Sequence, residues 1–138
     1  MDHEAEQIAQ FLKSPSFGVV GASQDRTKYG NKVLRCYLQH GHSVVAINPR
    51  GGRIEKQPTF ENVRGLPPEI QSLSLITPPH ISEEVIQEAA QGHIRNIWLQ
   101  PGAESPRCLE ICQAHGINVI AGGACLLVVL GYRDHYEP

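Results

Sequence analysis

Apolar positions along this chain follow two alternating periods. The segments NKVLRCYLQHG (31–41), SEEVIQEAAQG (82–92) and SPRCLEICQAHG (105–116) repeat at helical spacing and end in glycine. Each is followed by a short β-branched run: HSVVAIN (42–48), HIRNIWLQ (93–100) and INVIAGG (117–123). Two more apolar runs, FGVVGA (17–22) and LSLIT (73–77), bring the predicted strands to five. Gly41, Gly92 and Gly116 stand where a helix can end in a left-handed residue, a conformation that is cheap only without a Cβ. Ser82, ahead of Glu83 and Glu84, and Ser105, ahead of Pro106, have the chemistry of helix N-caps. His40 and His115 suit the carbonyl ends of their helices.

Strands that alternate with helices of this length imply parallel βαβ units, and right-handed crossovers then place helices on both faces of one sheet. The pattern predicts an α/β fold: one Rossmann-like, doubly wound domain over residues 1–138, with a five-stranded parallel sheet in the order 3-2-1-4-5. Residues 1–14 read as an N-terminal helix. Residues 126–138 read as a tail whose apolar run, Leu126 to Leu130, packs on the domain or on a partner subunit. Between strands two and three, residues 50–72 read as a surface connection holding one short helix around Phe60 to Val63.

A chain of 138 residues can bury a core without disulfide or metal staples. Its net charge of -2 supplies no basic surplus for wrapping nucleic acid. No stretch approaches the roughly 18 apolar residues of a membrane span, and the acidic, helical start differs from a signal peptide, so a cytoplasmic protein is expected. Cys36, Cys108, Cys112 and Cys125 form no CxxC and read as thiols, with no zinc ligand set around them.

In an open α/β sheet the ligand lies at the carboxyl ends of the strands, where strand order reverses, here expected between strands one and four. The loop GVVGASQDRTKYG (18–30) carries a glycine turn at Gly21 that lets backbone amides near Ala22 and Ser23 approach an anion, with the Ser23 hydroxyl and the Lys28 charge beside them. The dinucleotide fingerprint GxGxxG is absent. After strand two, Asn48-Pro49-Arg50 replaces the acidic residue that holds the ribose of a plain nicotinamide cofactor. A guanidinium there suits a ribose bearing an extra phosphate, as in NADP or coenzyme A. The loops after strands one and two hold Arg26, Lys28, Lys32, Arg50 and Arg53 against Asp25 alone.

Through GVVGAS, KYGNKV, INPRGG, TPPHISEEVIQEA and IWLQPG, in that order, the chain resembles the small CoA-binding proteins of the YccU type, and through them the CoA-binding N-terminal domain of the succinyl-CoA synthetase α subunit. The resemblance implies that Gly21, Ala22 and Ser23 line the diphosphate, with Lys28 or Lys32 as counter-charge. It further implies that Asn48, Pro49 and Arg50 hold the adenosine 3′-phosphate end, that Thr77, Pro78 and Pro79 form a rigid wall, and that Gln100, Pro101 and Gly102 meet the pantetheine. Cys125 falls near that pantetheine end, as an exchangeable thiol or as a small buried hydrophobe. Gly122-Gly123-Ala124 stands where the family commonly has an Asp-Arg or Asn-Arg pair. Family members are often dimeric, so a homodimer is expected.

No Ser-His-Asp elbow, HExxH or Walker lysine occurs, so no catalytic residue and no metal ligand is assigned. The resemblance puts the synthetase's catalytic phosphohistidine in a later domain, one not expected here. Two readings follow: a protein that binds coenzyme A or an acyl-CoA without turnover, or a small NADP-binding oxidoreductase or a subunit of one.

Overall fold

The computed structural model describes residues 3–134. Its elements in chain order are α1 (His3–Leu12), β1 (Ser16–Val20), α2 (Tyr29–Gln39), β2 (Ser43–Ile47), β3 (Arg53–Ile54), β4 (Gln57–Phe60), β5 (Ile70–Leu75), α3 (Pro79–Ala90), β6 (Asn96–Leu99), α4 (Pro106–Ala114), β7 (Asn118–Ile120) and α5 (Leu126–Leu130).

The central strands are buried on both faces, and the twofold alternation of a strand sends their side chains into two separate cores. Val20, Ile47, Leu73, Leu75, Ile97 and Leu99 meet Ile86 of α3 and Cys108 and Ile111 of α4. Phe17, Val19, Val44, Ala46 and Trp98 point the other way, onto Phe11 of α1, Val33, Leu34 and Tyr37 of α2, and Leu126 of α5. Helices thus cover both faces, as predicted. On the α1/α2 side the rings of Phe11, Phe17 and Tyr37 form a stacked column, with centroids 5.5 Å and 4.7 Å apart. Ser74, a polar residue on that face of β5, is reconciled by the Tyr37 hydroxyl 2.6 Å away. Trp98 lies fully buried, and its indole N–H donates to Ala124 O at 3.0 Å.

The sheet has seven strands in the order β3-β4-β2-β1-β5-β6-β7. This corrects the predicted five-stranded order. The strand counted third in the sequence, now β5, pairs with β1 rather than lying outside β2. The position outside β2 belongs to Gln57–Phe60, which pairs with it in parallel, while β3 adds an antiparallel edge. Counted by the parallel strands alone, the order is 3-2-1-4-5-6, with its reversal between β1 and β5. No helix forms around Phe60 to Val63: Phe60 ends β4 and the next three residues bend.

Ser82 does not cap α3. That helix starts three residues earlier with Pro79 at its first position, and Ser82, fully buried, bonds the Thr77 hydroxyl at 2.7 Å. Ser105 does cap α4, accepting from the Cys108 amide at 3.2 Å. Gly41 and Gly116 are left-handed as predicted, with φ of 76° and 68°, whereas Gly92 ends its helix without a positive φ. The short α5 packs Leu126 into the core and leaves Val128 79% exposed and Val129 42% exposed. Residues 135–138 of the predicted tail, like residues 1 and 2 of the N-terminal helix, lie outside the described residues. Among those described, no helix is long and apolar enough to cross a membrane.

Both edges of the sheet are short. The two-residue β3 gives up the Arg53 carbonyl to Gln24 Nε2 at 3.1 Å. At the far edge the Val119 carbonyl of β7 accepts from Gln7 Nε2 of α1 at 2.9 Å.

Candidate functional site

The reversal between β1 and β5 opens a crevice at the carboxyl ends of the strands, where an open α/β sheet binds its ligands. The chain leaves β1 through Gly21, whose φ is +92° and whose missing side chain leaves room for the Ile76 carbonyl: a Cβ would lie 2.3 Å from that oxygen. It then enters α2 at Gly30, where a Cβ would lie 2.1 Å from the Gly21 carbonyl oxygen. These two glycines bring the first turn of α2 against the end of β1. No side chain caps that turn, so its amides face outward with the positive end of the helix dipole.

Between these glycines the loop is tethered by its carbonyls. Asn48 Nδ2 donates to Ala22 O and Asn31 Nδ2 to Ser23 O, both at 2.8 Å. Arg35 Nη2 holds Arg26 O, also at 2.8 Å. In a trans peptide the carbonyl of one residue and the N–H of the next point in opposite directions. Pulling the carbonyls of residues 22 and 23 inward therefore turns the amides of Ser23 and Gln24 outward, and no hydrogen bond among the described residues reaches either of them. Two adjacent outward amides beside a helix N-terminus make an anion nest.

The cavity beside this nest measures 490 Å³ and is lined by Gly21 to Ser23, Lys28 to Gly30, Asn48, Arg50 and Ile76, with Gln24 outside the lining. Lys28 and Arg50 are its charged groups, both on exposed residues. Asp25 faces its own neighbour: Thr27 donates to Oδ1 from its hydroxyl at 2.6 Å and from its amide at 2.9 Å, and these bonds hold the carboxyl below its usual range. Asn48 joins two loops, since its Oδ1 accepts from the Arg50 amide at 2.8 Å while its Nδ2 holds Ala22. That turn presents the Arg50 side chain at the cavity.

A second hollow of 220 Å³ shares Gly21 and is lined by Ile47, Pro49, Val63, Thr77, Ile81 and Val85, together with Glu61, Glu84 and Glu88. The structure thus gathers Gly21, Ala22, Ser23, Lys28, Asn48, Pro49, Arg50 and Thr77 around two adjoining spaces. Lys32, Pro78, Pro79, Gln100, Pro101 and Gly102 line neither. Lys32 reaches Asp134 at 3.8 Å. Pro78 and Pro79 start α3, and Pro101 and Gly102 form an exposed turn.

Gln100 is fully buried, and its Oε1 accepts from Tyr29 OH at 3.1 Å and from the Leu126 amide at 2.9 Å, tying α2 to the loop after β7. The Tyr29 hydroxyl also bonds Cys125 Sγ, and burial together with that thiol raises the phenol's pKa, so the hydroxyl stays neutral. Cys36, Cys108 and Cys112 are buried, and desolvation pushes Cys36 and Cys112 up to about 12. A thiol reagent at about pH 8 should therefore label half-buried Cys125 first in the native protein. Labelling of Cys36 at the same rate, located by peptide mass spectrometry, would mean that α2 lifts from the sheet. Asn31, Arg35 and Glu55 carry no sequence signal as site residues; only the fold brings them to the loop. A larger hollow of 510 Å³ lies at the other end of α2, between Gln39 and Arg133, and includes none of the predicted residues. No group of three His, Cys, Asp or Glu among the described residues could hold a metal ion.

Known proteins share this architecture. A conserved hypothetical protein from Pyrococcus furiosus superposes with a TM-score of 0.79 at 32% identity, over 83% of this chain and 97% of its own. A hypothetical protein from Pyrococcus horikoshii has the same fold, with a TM-score of 0.84 at 19% identity over 92% of this chain and 89% of its own. The dinucleotide-forming acetyl-coenzyme A synthetase 1 of Ca. Korarchaeum cryptofilum contains it as a part, with a TM-score of 0.72 at 22% identity over 81% of this chain and 26% of that one. In sequence, the ADP-forming acetate–CoA ligase II of Archaeoglobus fulgidus is 25% identical over 130 residues, or 86% of this chain, which spans only 19% of the ligase's length. Residues 15–131 match the family described as the CoA binding domain, and to that family this chain belongs.

Proposed function

We propose that this chain binds coenzyme A or an acyl-CoA across the carboxyl ends of its parallel strands, with no turnover of its own. The observation that carries the reading is the outward amide of Ser23, set beside the uncapped start of α2 and sharing a cavity with Lys28 and Arg50. An anion with several charges finds amide donors, a helix dipole and two cations there. In this reading the diphosphate lies on the nest, the 3′-phosphate meets Arg50, and the base enters the apolar hollow beside Pro49. The carboxylates of Glu61, Glu84 and Glu88 around that hollow disfavour a phosphate and so set the direction of the nucleotide.

Binding without turnover is supported by the state of the available nucleophiles. The Ser23 hydroxyl accepts from the Asp25 amide at 3.1 Å, and the Cys125 thiol has for a neighbour a phenol that stays un-ionised and so offers it no base.

A thermal titration tests the proposal. At 100 times its dissociation constant, CoA should add roughly 2.7 kcal/mol of stability, with NAD leaving the midpoint unchanged. Stabilisation by NADP and none by CoA would replace this reading with that of an NADP-binding oxidoreductase subunit.

A further inference from the structure

The turn between β3 and β4 consists of Glu55 and Lys56, and both have positive φ, 49° and 66°. Positive φ at both central residues is the type I′ form of a two-residue hairpin turn, and Asn-Gly is the pair that adopts it at little cost. A glutamate and a lysine in its place store backbone strain, which persists only where the surroundings over-determine it. The surroundings here are the anion loop. Glu55 Oε2 accepts from Asn31 Nδ2 at 3.1 Å, and Oε1 lies 3.6 Å from the Arg26 guanidinium. The same Asn31 amide holds Ser23 O, while Asn31 Oδ1 accepts from Arg35 Nε at 2.7 Å. Asn31 is fully buried and Arg35 is 5% exposed. A third grip comes from Gln24, whose side chain donates to the Arg53 carbonyl of β3. None of Asn31, Arg35 and Glu55 lines the cavity.

We infer that Glu55 is a positioning residue for anion binding: through Asn31 it fixes the Ser23 carbonyl inward and thereby holds Ser23, which lines the cavity, in place for the ligand. The inference rests on reading the cavity as the CoA diphosphate site. The hairpin keeps an unfavourable turn sequence because Glu55, at the turn's first central position, is the residue that reaches Asn31 and Arg26.

Replacing the pair by Glu55→Asn with Lys56→Gly gives the turn the sequence it prefers and removes the carboxylate. The midpoint of thermal unfolding should hold or rise, while the CoA dissociation constant rises about tenfold, the effect expected when hydrogen bonds to a charged ligand lose their alignment. The ¹H–¹⁵N signals of Ser23 and Gln24 should move in the ligand-free protein. Glu55→Gln keeps an acceptor for Asn31 and drops the charge opposite Arg26, so a loss of about threefold is expected. CoA affinity within twofold of the unaltered protein for both variants would overturn the inference. So would affinity and thermal midpoint falling together, which is the behaviour of a merely structural turn. Failure of the unaltered protein to bind CoA would sink the functional reading instead, while the amide signals still report on the tether with no ligand present.

Discussion

Gly30→Ala is expected to destabilise the protein by about 3 kcal/mol or more, the upper end of what overpacking does, and to abolish CoA binding in the fraction that stays folded. The added methyl would meet the Gly21 carbonyl oxygen at 2.1 Å and Ala22 Cα at 3.2 Å. Those atoms are backbone, so no rotamer change relieves the contact. The start of α2 must move away, carrying its uncapped amides from the loop they share with the ligand. A denaturant midpoint and a calorimetric titration measure the two losses separately. Unchanged values for both would show that the close approach of α2 to β1 is incidental to fold and site alike.

Arg50→Ala should leave stability within about 0.5 kcal/mol, as for an ordinary surface substitution, because Arg50 is exposed and its turn is held through its backbone amide. Its effect should fall on the ligand. Loss of a charge-assisted phosphate contact weakens CoA by ~1.5–3 kcal/mol, and dephospho-CoA, which lacks the 3′-phosphate, should bind nearly as before. Equal weakening of both ligands would reassign Arg50 to the diphosphate or to the loop. The two experiments divide the site by cause: one asks whether the glycines create the space, the other whether the arginine reads what enters it.

The alternation of periodic helices, terminal glycines and β-branched runs made most of this fold legible. Strands β1, β2 and β6 are buried on both faces, so their sequences are continuous apolar runs that admit few other readings. Strand β4 escaped because Gln57-Pro58-Thr59-Phe60 is short, half polar and interrupted by proline. Its absence from the predicted set shifted every later strand by one and gave the wrong sheet order. The start of α3 was hidden for a related reason. Pro79 opens the helix by a fixed φ and needs no hydroxyl, which left Ser82 as the visible but mistaken cap.

For the site, the local signals sufficed where the chemistry is local. Gly21 and Arg50 advertise a turn and a charge, and both border the crevice. The tethers were illegible because they join residues far apart in the chain: Asn48 to Ala22 across 26 positions, Glu55 to Asn31 across 24. Gln100 was misleading in a different way, because its place at the end of β6 suggests a ligand contact while its side chain turns inward to Tyr29 and Leu126. A position in a ligand-facing loop does not fix the direction of its side chain.

The short sheet edges bear on how this chain meets other chains. An uncovered edge strand offers a ladder of amides and carbonyls to any extended segment that drifts past. Here each edge has surrendered a carbonyl to a glutamine side chain, Arg53 to Gln24 and Val119 to Gln7. An incoming strand would have to strip away bonds already made, and at the β3 edge it would find only two residues to pair with. The glutamine that steadies the anion loop thus also shields the sheet from growth by strand addition.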